Sequence, residues 1–159
     1  MVLADGAMIT FRCNDGHRLC GPRTLTCVTP PMGKPVWDQA LPTCERIPGY
    51  VGCFDNEDTE PFLFDLNTEW SDDAMTVEKC ISRCSTEGFS FAGLMDGDEC
   101  YCAKTGLNFT AYGRKRCEDR CEGDATQVCG EDDDQVSVYD VVWYNMVSNA
   151  GNGTVPVIG

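Results

Sequence analysis

Residues 80–102 read CISRCSTEGFSFAGLMDGDECYC and carry four cysteines, two spaced four apart and two spaced two apart. Upstream, Val77, Cys80, Ile81 and Cys84 fall at i, i+3, i+4 and i+7, the stripe of one helical face. Thr76 can cap that helix, Glu78 sits near its positive end, and Gly88 supplies a stop. Downstream, Glu99, Cys100, Tyr101 and Cys102 read as a strand with both cysteines on one side. Two thiols on a helix face therefore meet two thiols on a strand face. That geometry predicts two parallel staples, Cys80–Cys100 and Cys84–Cys102, in preference to the crossed pairing.

Four thiolates could also hold zinc. Against this, the other eight cysteines show no comparable ligand pattern, and the single histidine, His17, lies far away in the chain. Twelve cysteines in 159 residues point to an oxidising compartment and to small domains that supplement thin cores with disulfides. No C-x-x-C motif suggests redox exchange. Structural disulfides are expected, with no metal and no cofactor. Each bridge contributes on the order of 3 kcal/mol by restricting the unfolded chain.

The opening MVLADGAMITF lacks the basic and apolar regions of a signal peptide, and no apolar run is long enough to cross a bilayer. The expectation is a piece of a longer secreted or cell-surface protein. The net charge is −14, with acids clustered at Asp55 to Glu60, Asp72 and Asp73, Asp96 to Glu99, and Glu131 to Asp134. Such a surface repels nucleic acid and anionic lipid. None of the acidic runs fits the calcium-loop pattern, so a solvated acidic surface is the simpler reading.

Cysteine spacing divides the chain into residues 1–45, a short linker at 46–49, a unit at 50–140 holding eight cysteines, and a cysteine-free tail at 141–159. The first unit has short β-type runs, MITFRC, TLTC and VWDQ, separated by turn residues. With so short a linker the two units would sit nearly rigid against each other.

The first unit resembles a sushi, or complement control, module. The matching residues are ITFRC at 9–13, NDGHRL at 14–19, RTLTC at 23–27, Trp37, and LPTC at 41–44. Cys13, Cys27 and Cys44 match the family's second, third and fourth cysteines. The resemblance implies Cys13–Cys44 and a Trp37 that fills core. The family's first cysteine is not matched and Cys20 is an addition, so Cys20–Cys27 is expected across a hairpin turning at Gly21 and Pro22.

The second unit resembles a WSC domain. The resemblance rests on YVGCF at 50–54, TVEKCISRC at 76–84, GFSFAGLMDGDECYC at 88–102, RCEDRCEGD at 116–124, VCG at 128–130 and VSVY at 136–139. It implies a short sheet crossed by one helix, and the pairs Cys53–Cys117 and Cys121–Cys129 beside the two staples derived above. The expected fold is therefore small, disulfide-rich and bipartite, an all-β sushi-like module followed by an α+β WSC domain.

The WSC resemblance implies a non-catalytic, extracellular carbohydrate-binding module. Sugars stack on aromatic rings while carboxylates and amides bond their hydroxyls. Candidate rings are Trp70, Tyr101 and Tyr112, and candidate polar partners are Asn67, Asp96 and Glu99. Tyr101 alternates with Cys100 and Cys102, which makes it a candidate for an exposed or second-layer ring. The alternative is a protein-interaction or matrix module that binds other extracellular proteins or copies of itself. Catalysis is not expected, since the paired carboxylates lack an apolar setting. Sequons at Asn108 and Asn152 are expected to carry glycans.

Overall fold

The computed structural model describes residues 4–56, 64, 68–104, 114–132 and 135–150. Asn67, Asn108, Tyr112 and Asn152 lie outside the described residues.

Helix α1 (Val77–Thr86) forms where the apolar stripe and its cap coincide. Thr76 Oγ1 accepts from Lys79 N at 3.1 Å, and the buried face is Val77, Cys80, Ile81 and Cys84. A second cap comes from far along the chain. Gln127 Oε1 accepts from Val77 N at 3.1 Å, while Gln127 Nε2 donates to both carboxylate oxygens of Glu78 at 2.8 and 2.9 Å. These bonds satisfy amides that a helix start otherwise leaves open.

Helix α1 lies across an antiparallel sheet of five strands, β6 (Tyr50–Asp55), β7 (Trp70–Ser71), β8 (Phe91–Met95), β9 (Glu99–Ala103) and β12 (Gln135–Asp140), in the order β6-β12-β8-β9-β7. Leu94 sits opposite Cys100, and Ala92 opposite Cys102. All four turn toward the helix, where Cys80–Cys100 and Cys84–Cys102 bridge the two elements side by side. Cys84 Sγ lies 4.0 Å from Cys100 Sγ. The other sheet face carries a second apolar layer of Phe54, Phe64, Met95, Tyr101, Val136 and Val138. Gly93 is required there: a Cβ on it would stand 2.8 Å from the Phe64 ring and 2.7 Å from Val136 Cγ2.

Strands β10 (Arg120–Cys121) and β11 (Asp124–Val128) form a separate ribbon closed by Cys121–Cys129. Cys53–Cys117 ties β6 to the segment leading into that ribbon. Residues read from the sequence as the start of a tail instead form helix α2 (Val141–Ala150). Asp140 Oδ1 caps it by accepting from Trp143 N at 2.9 Å, Val141 is buried, and Tyr144 packs on the main core. Asn145 Nδ2 donates to Ser85 Oγ of α1 at 2.9 Å. The helix thus belongs to the domain it follows.

The N-terminal module has two small antiparallel sheets. One joins β1 (Met8–Thr10), β3 (Thr24–Val28) and β4 (Val36–Trp37), and the other joins β2 (His17–Cys20) and β5 (Thr43–Arg46). Cys13–Cys44 is present. The expected Cys20–Cys27 bridge is not formed, and both thiols are free. The reason is topological. Strands β2 and β3 do not pair as a hairpin; Cys20 sits opposite Thr43 and Cys27 opposite Trp37, in different sheets. Trp37 is only half-buried, while Leu25 and Cys27 point inward.

The residues read as a linker are packed. Ile47 is buried in the core of the second module, and its N–H donates to Gly16 O at 2.8 Å. Gly16 has a φ of 81°, and a Cβ on it would collide with the Tyr50 ring. At the same junction Cys13 N donates to Thr126 O at 2.8 Å, and Asp15 accepts from both Tyr50 Oη and Ser137 Oγ. The two modules share buried hydrogen bonds, as parts of one folded unit do.

Candidate functional site

Strand β7 is an edge strand, and it places Trp70 opposite Cys100 and Ser71 opposite Glu99. Trp70 is half-buried against the main core. The Arg83 guanidinium of α1 stands 4.7 Å from the centre of its ring, a cation–π distance. Arg83 also pairs with Glu87 at 3.2 Å, one helical turn on. Arg83 is not among the candidate residues expected from the sequence. Its position three residues after Cys80, on the helix facing β9, was the available signal.

Of the two expectations for Tyr101, exposed or second-layer, the structure takes the second, and this removes it as a ligand ring. It does point away from the two strand cysteines, but that side of the sheet is the second apolar layer, and only 4 % of its surface is exposed. Its hydroxyl donates to Glu99 Oε2 at 3.0 Å. Burial, and then this bond, push the Tyr101 hydroxyl pKa upward. A ring so placed cannot stack on a ligand; it holds Glu99 instead.

Glu99 is half-buried and Asp96 exposed, at the two sides of the β8–β9 turn, where Asp96 adopts a φ of 55°. Burial raises the pKa of each carboxyl, partly offset by a hydrogen bond between Glu99 and Tyr101 and another between Asp96 and Glu99. Trp70 and Arg83 offer an aromatic ring and guanidinium donors on the helix side of the β7 edge, while Glu99 belongs with Tyr101 to the other face of the sheet.

Asp96 also approaches Asp119 and Asp132, with carboxylate oxygens within 4.8 Å of one another. Glu131 lies beside them, accepting from Glu118 N at 3.0 Å through Oε2. Its pKa rises to about 7, chiefly by burial, then by its hydrogen bond and charge contact with Asp119. Asp96, Asp119 and Asp132 are oxygen ligands of the kind a hard divalent cation takes. Three such acids on an acidic surface are also common without one. Cys80, Cys84 and Cys100 cluster as closely, but their sulfurs are held in disulfides and offer no thiolate.

The fold agrees with comparisons across known proteins. The family model for the WSC domain matches residues 50–131, and that for the Sushi repeat matches residues 2–44. The chain belongs to the WSC domain family, with a sushi repeat preceding that domain. It is similar to Kremen protein 1 of Homo sapiens, at 34% identity over 95 residues, covering 58% of this chain and 19% of that protein. Kremen protein 2 of Mus musculus is 31% identical over 120 residues, covering 73% of this chain and 24% of that protein. The chain thus spans about a fifth to a quarter of the length of the curated relatives it matches. Two extracellular domain families and five disulfides place the chain outside the cell. Among the described residues no helix is long and apolar enough to cross a membrane.

Proposed function

We propose that the chain is a non-catalytic, extracellular glycan-recognition module of a larger protein. The supporting observation is the half-exposed Trp70 on the edge strand β7, stacked with the Arg83 guanidinium. An indole supplies the flat apolar surface that a sugar ring covers, and the guanidinium beside it supplies donors for its hydroxyls. The setting does not favour catalysis. The single histidine bonds Asp15 O through Nδ1 at 3.1 Å, in the other module. The test is calorimetric titration with β-glucan, xylan and chitin oligosaccharides. Binding to one of these is expected, and Trp70→Ala or Arg83→Gln should weaken it at least tenfold while the thermal transition stays cooperative. No affinity for any of the three, or binding indifferent to both substitutions, overturns the reading.

A second reading, interaction with another extracellular protein or a second copy, is favoured by α2. Val142, Trp143 and Met146 are 53 %, 37 % and 37 % exposed there. Trp143 borders a cleft of about 410 Å³ with Arg46, Pro48 and Val147. Exposed apolar groups in such proximity favour burial against a partner. Mass in solution, with Trp143→Ser as comparison, separates a monomer from a self-associating chain.

A further inference from the structure

The chain holds 26 acidic and only 12 basic residues, yet four of the basic ones line a single cleft. The cleft has a volume of about 630 Å³ and lies where the two modules meet. Its size falls within the ~300–1,000 Å³ range of small-ligand sites. Arg12 comes from the sushi repeat, and Lys115, Arg116 and Arg120 come from the WSC domain.

Covalent staples hold these cations in place. Arg12, Arg116 and Arg120 each precede a bridged cysteine, in Cys13–Cys44, Cys53–Cys117 and Cys121–Cys129. Arg120 Nη1 donates to Cys13 O at 2.6 Å, so its guanidinium is fixed beside the residue that follows Arg12. Burial, and then the charge of Arg12, lower the Arg120 pKa. Like charges kept this close cost free energy.

Among the described residues they are neutralised only in part, Glu118 acting on both Arg116 and Arg120. Arg116 pairs with Glu118, and Lys115 stands 3.8 Å from Asp55. Among the described residues Arg12 and Arg120 make no ion pair. Asp15 also lines the cleft, but its oxygens accept from Tyr50 and Ser137. In the cleft lining four cations face two carboxylates, Asp15 and Glu118, with Asp55 beside Lys115, in a protein whose net charge is −14.

We propose that this cleft binds an acidic saccharide, whose sulfate or carboxylate groups bridge Arg12 and Arg120 across the module junction, with Lys115 and Arg116 engaging a neighbouring acidic group. Guanidinium forks match the oxygens of such groups in pairs. The lining is mixed, and this selects the class. Asn14 offers an amide and Glu118 a carboxylate suited to hydroxyls, and Asp15 adds a second negative charge to the lining. A uniformly charged polyanion would meet repulsion from those carboxylates and from the rest of the surface. A sugar chain spaces its acidic groups with hydroxyls between them. Because the bound anion would touch both modules, it would also stabilise their junction by linkage. This site is independent of the Trp70 surface.

The test is titration of the whole chain with a heparin hexasaccharide and a hyaluronan hexasaccharide at 0.15 M salt, with thermal unfolding in parallel. Inorganic sulfate, a neutral β-glucan hexasaccharide and a polyglutamate peptide serve as comparisons. Binding of at least one acidic hexasaccharide is expected, with a raised midpoint of unfolding. Arg12→Gln with Lys115→Gln should weaken it at least tenfold. Lys34→Gln with Lys104→Gln, an equal loss of charge at exposed sites away from the cleft, should change it less than twofold. The proposal is overturned if neither hexasaccharide binds, or if both double variants lose affinity alike. Insensitivity to Arg12 and Lys115, or equally tight binding of inorganic sulfate, neutral glucan or polyglutamate, overturns it as well.

Discussion

Tyr50 Oη donates to Asp15 Oδ2 at 2.5 Å, joining the first strand of the WSC domain to the sushi repeat. The other Asp15 oxygen accepts from Ser137 Oγ at 2.7 Å, on β12, an interior strand of the five-stranded sheet. One carboxylate therefore ties the small module into the larger one. Asp15→Ala should cost about 2–3 kcal/mol, because two hydroxyls lose a charged acceptor at a partly buried junction. Calorimetry should then show the sushi repeat melting ahead of the WSC domain. A single transition at the original temperature would mean that the junction is held by other contacts.

The disulfides should differ in worth by the loops they close. Cys53–Cys117 spans 64 positions and Cys121–Cys129 spans 8. In the chain-entropy description, replacing the first pair by alanine costs about 4 kcal/mol and the second about 2.5 kcal/mol. Denaturant unfolding of the two double variants gives the order directly. A larger loss for the short loop would show that native packing, not chain restriction, dominates.

The free thiols give a count that mass spectrometry can check. Native protein treated with a maleimide should gain one adduct, at the half-buried Cys20, because Cys27 is buried. The same treatment after unfolding without reductant should give two. No adducts in the unfolded chain would mean that these two cysteines are oxidised.

Stability should rise as the solution is acidified from pH 8 to pH 5. Asp15, Asp96, Glu99 and Glu131 all have raised carboxyl pKa values, with burial the leading cause in each, and Glu131 reaches about 7. The folded chain thus binds these protons more tightly than the unfolded chain, whose carboxyls titrate near pH ~4. Their contribution is complete below that value and is lost as pH rises through the folded values. Glu131→Gln should raise the unfolding midpoint at pH 8 and flatten its dependence between pH 5 and 8. A midpoint that falls on acidification across this range contradicts the assignment.

Local pattern carried much of the fold. The i, i+3, i+4, i+7 stripe from Val77, the Thr76 cap and the alternation around Tyr101 each involve groups a few residues apart, so chain geometry alone relates them. Helix α1, strand β9 and the meeting of their cysteines were legible for that reason. The cationic cleft was not read from the sequence: Lys115 and Arg116 lie about a hundred positions from Arg12, and sequence spacing cannot bring them together.

What only the tertiary structure decided depends on which strands pair and what covers each face. Strand β2 takes β5 and strand β3 takes β1 and β4, which parts Cys20 from Cys27. Phe54 and Phe64 cover the far side of the sheet, which decides between an exposed and a second-layer Tyr101 in favour of the second. The module junction likewise sets Asp15 against Tyr50 and Arg120 against Cys13. Such pairings are settled by the global competition to bury apolar surface and satisfy backbone amides, which no short stretch of chain contains.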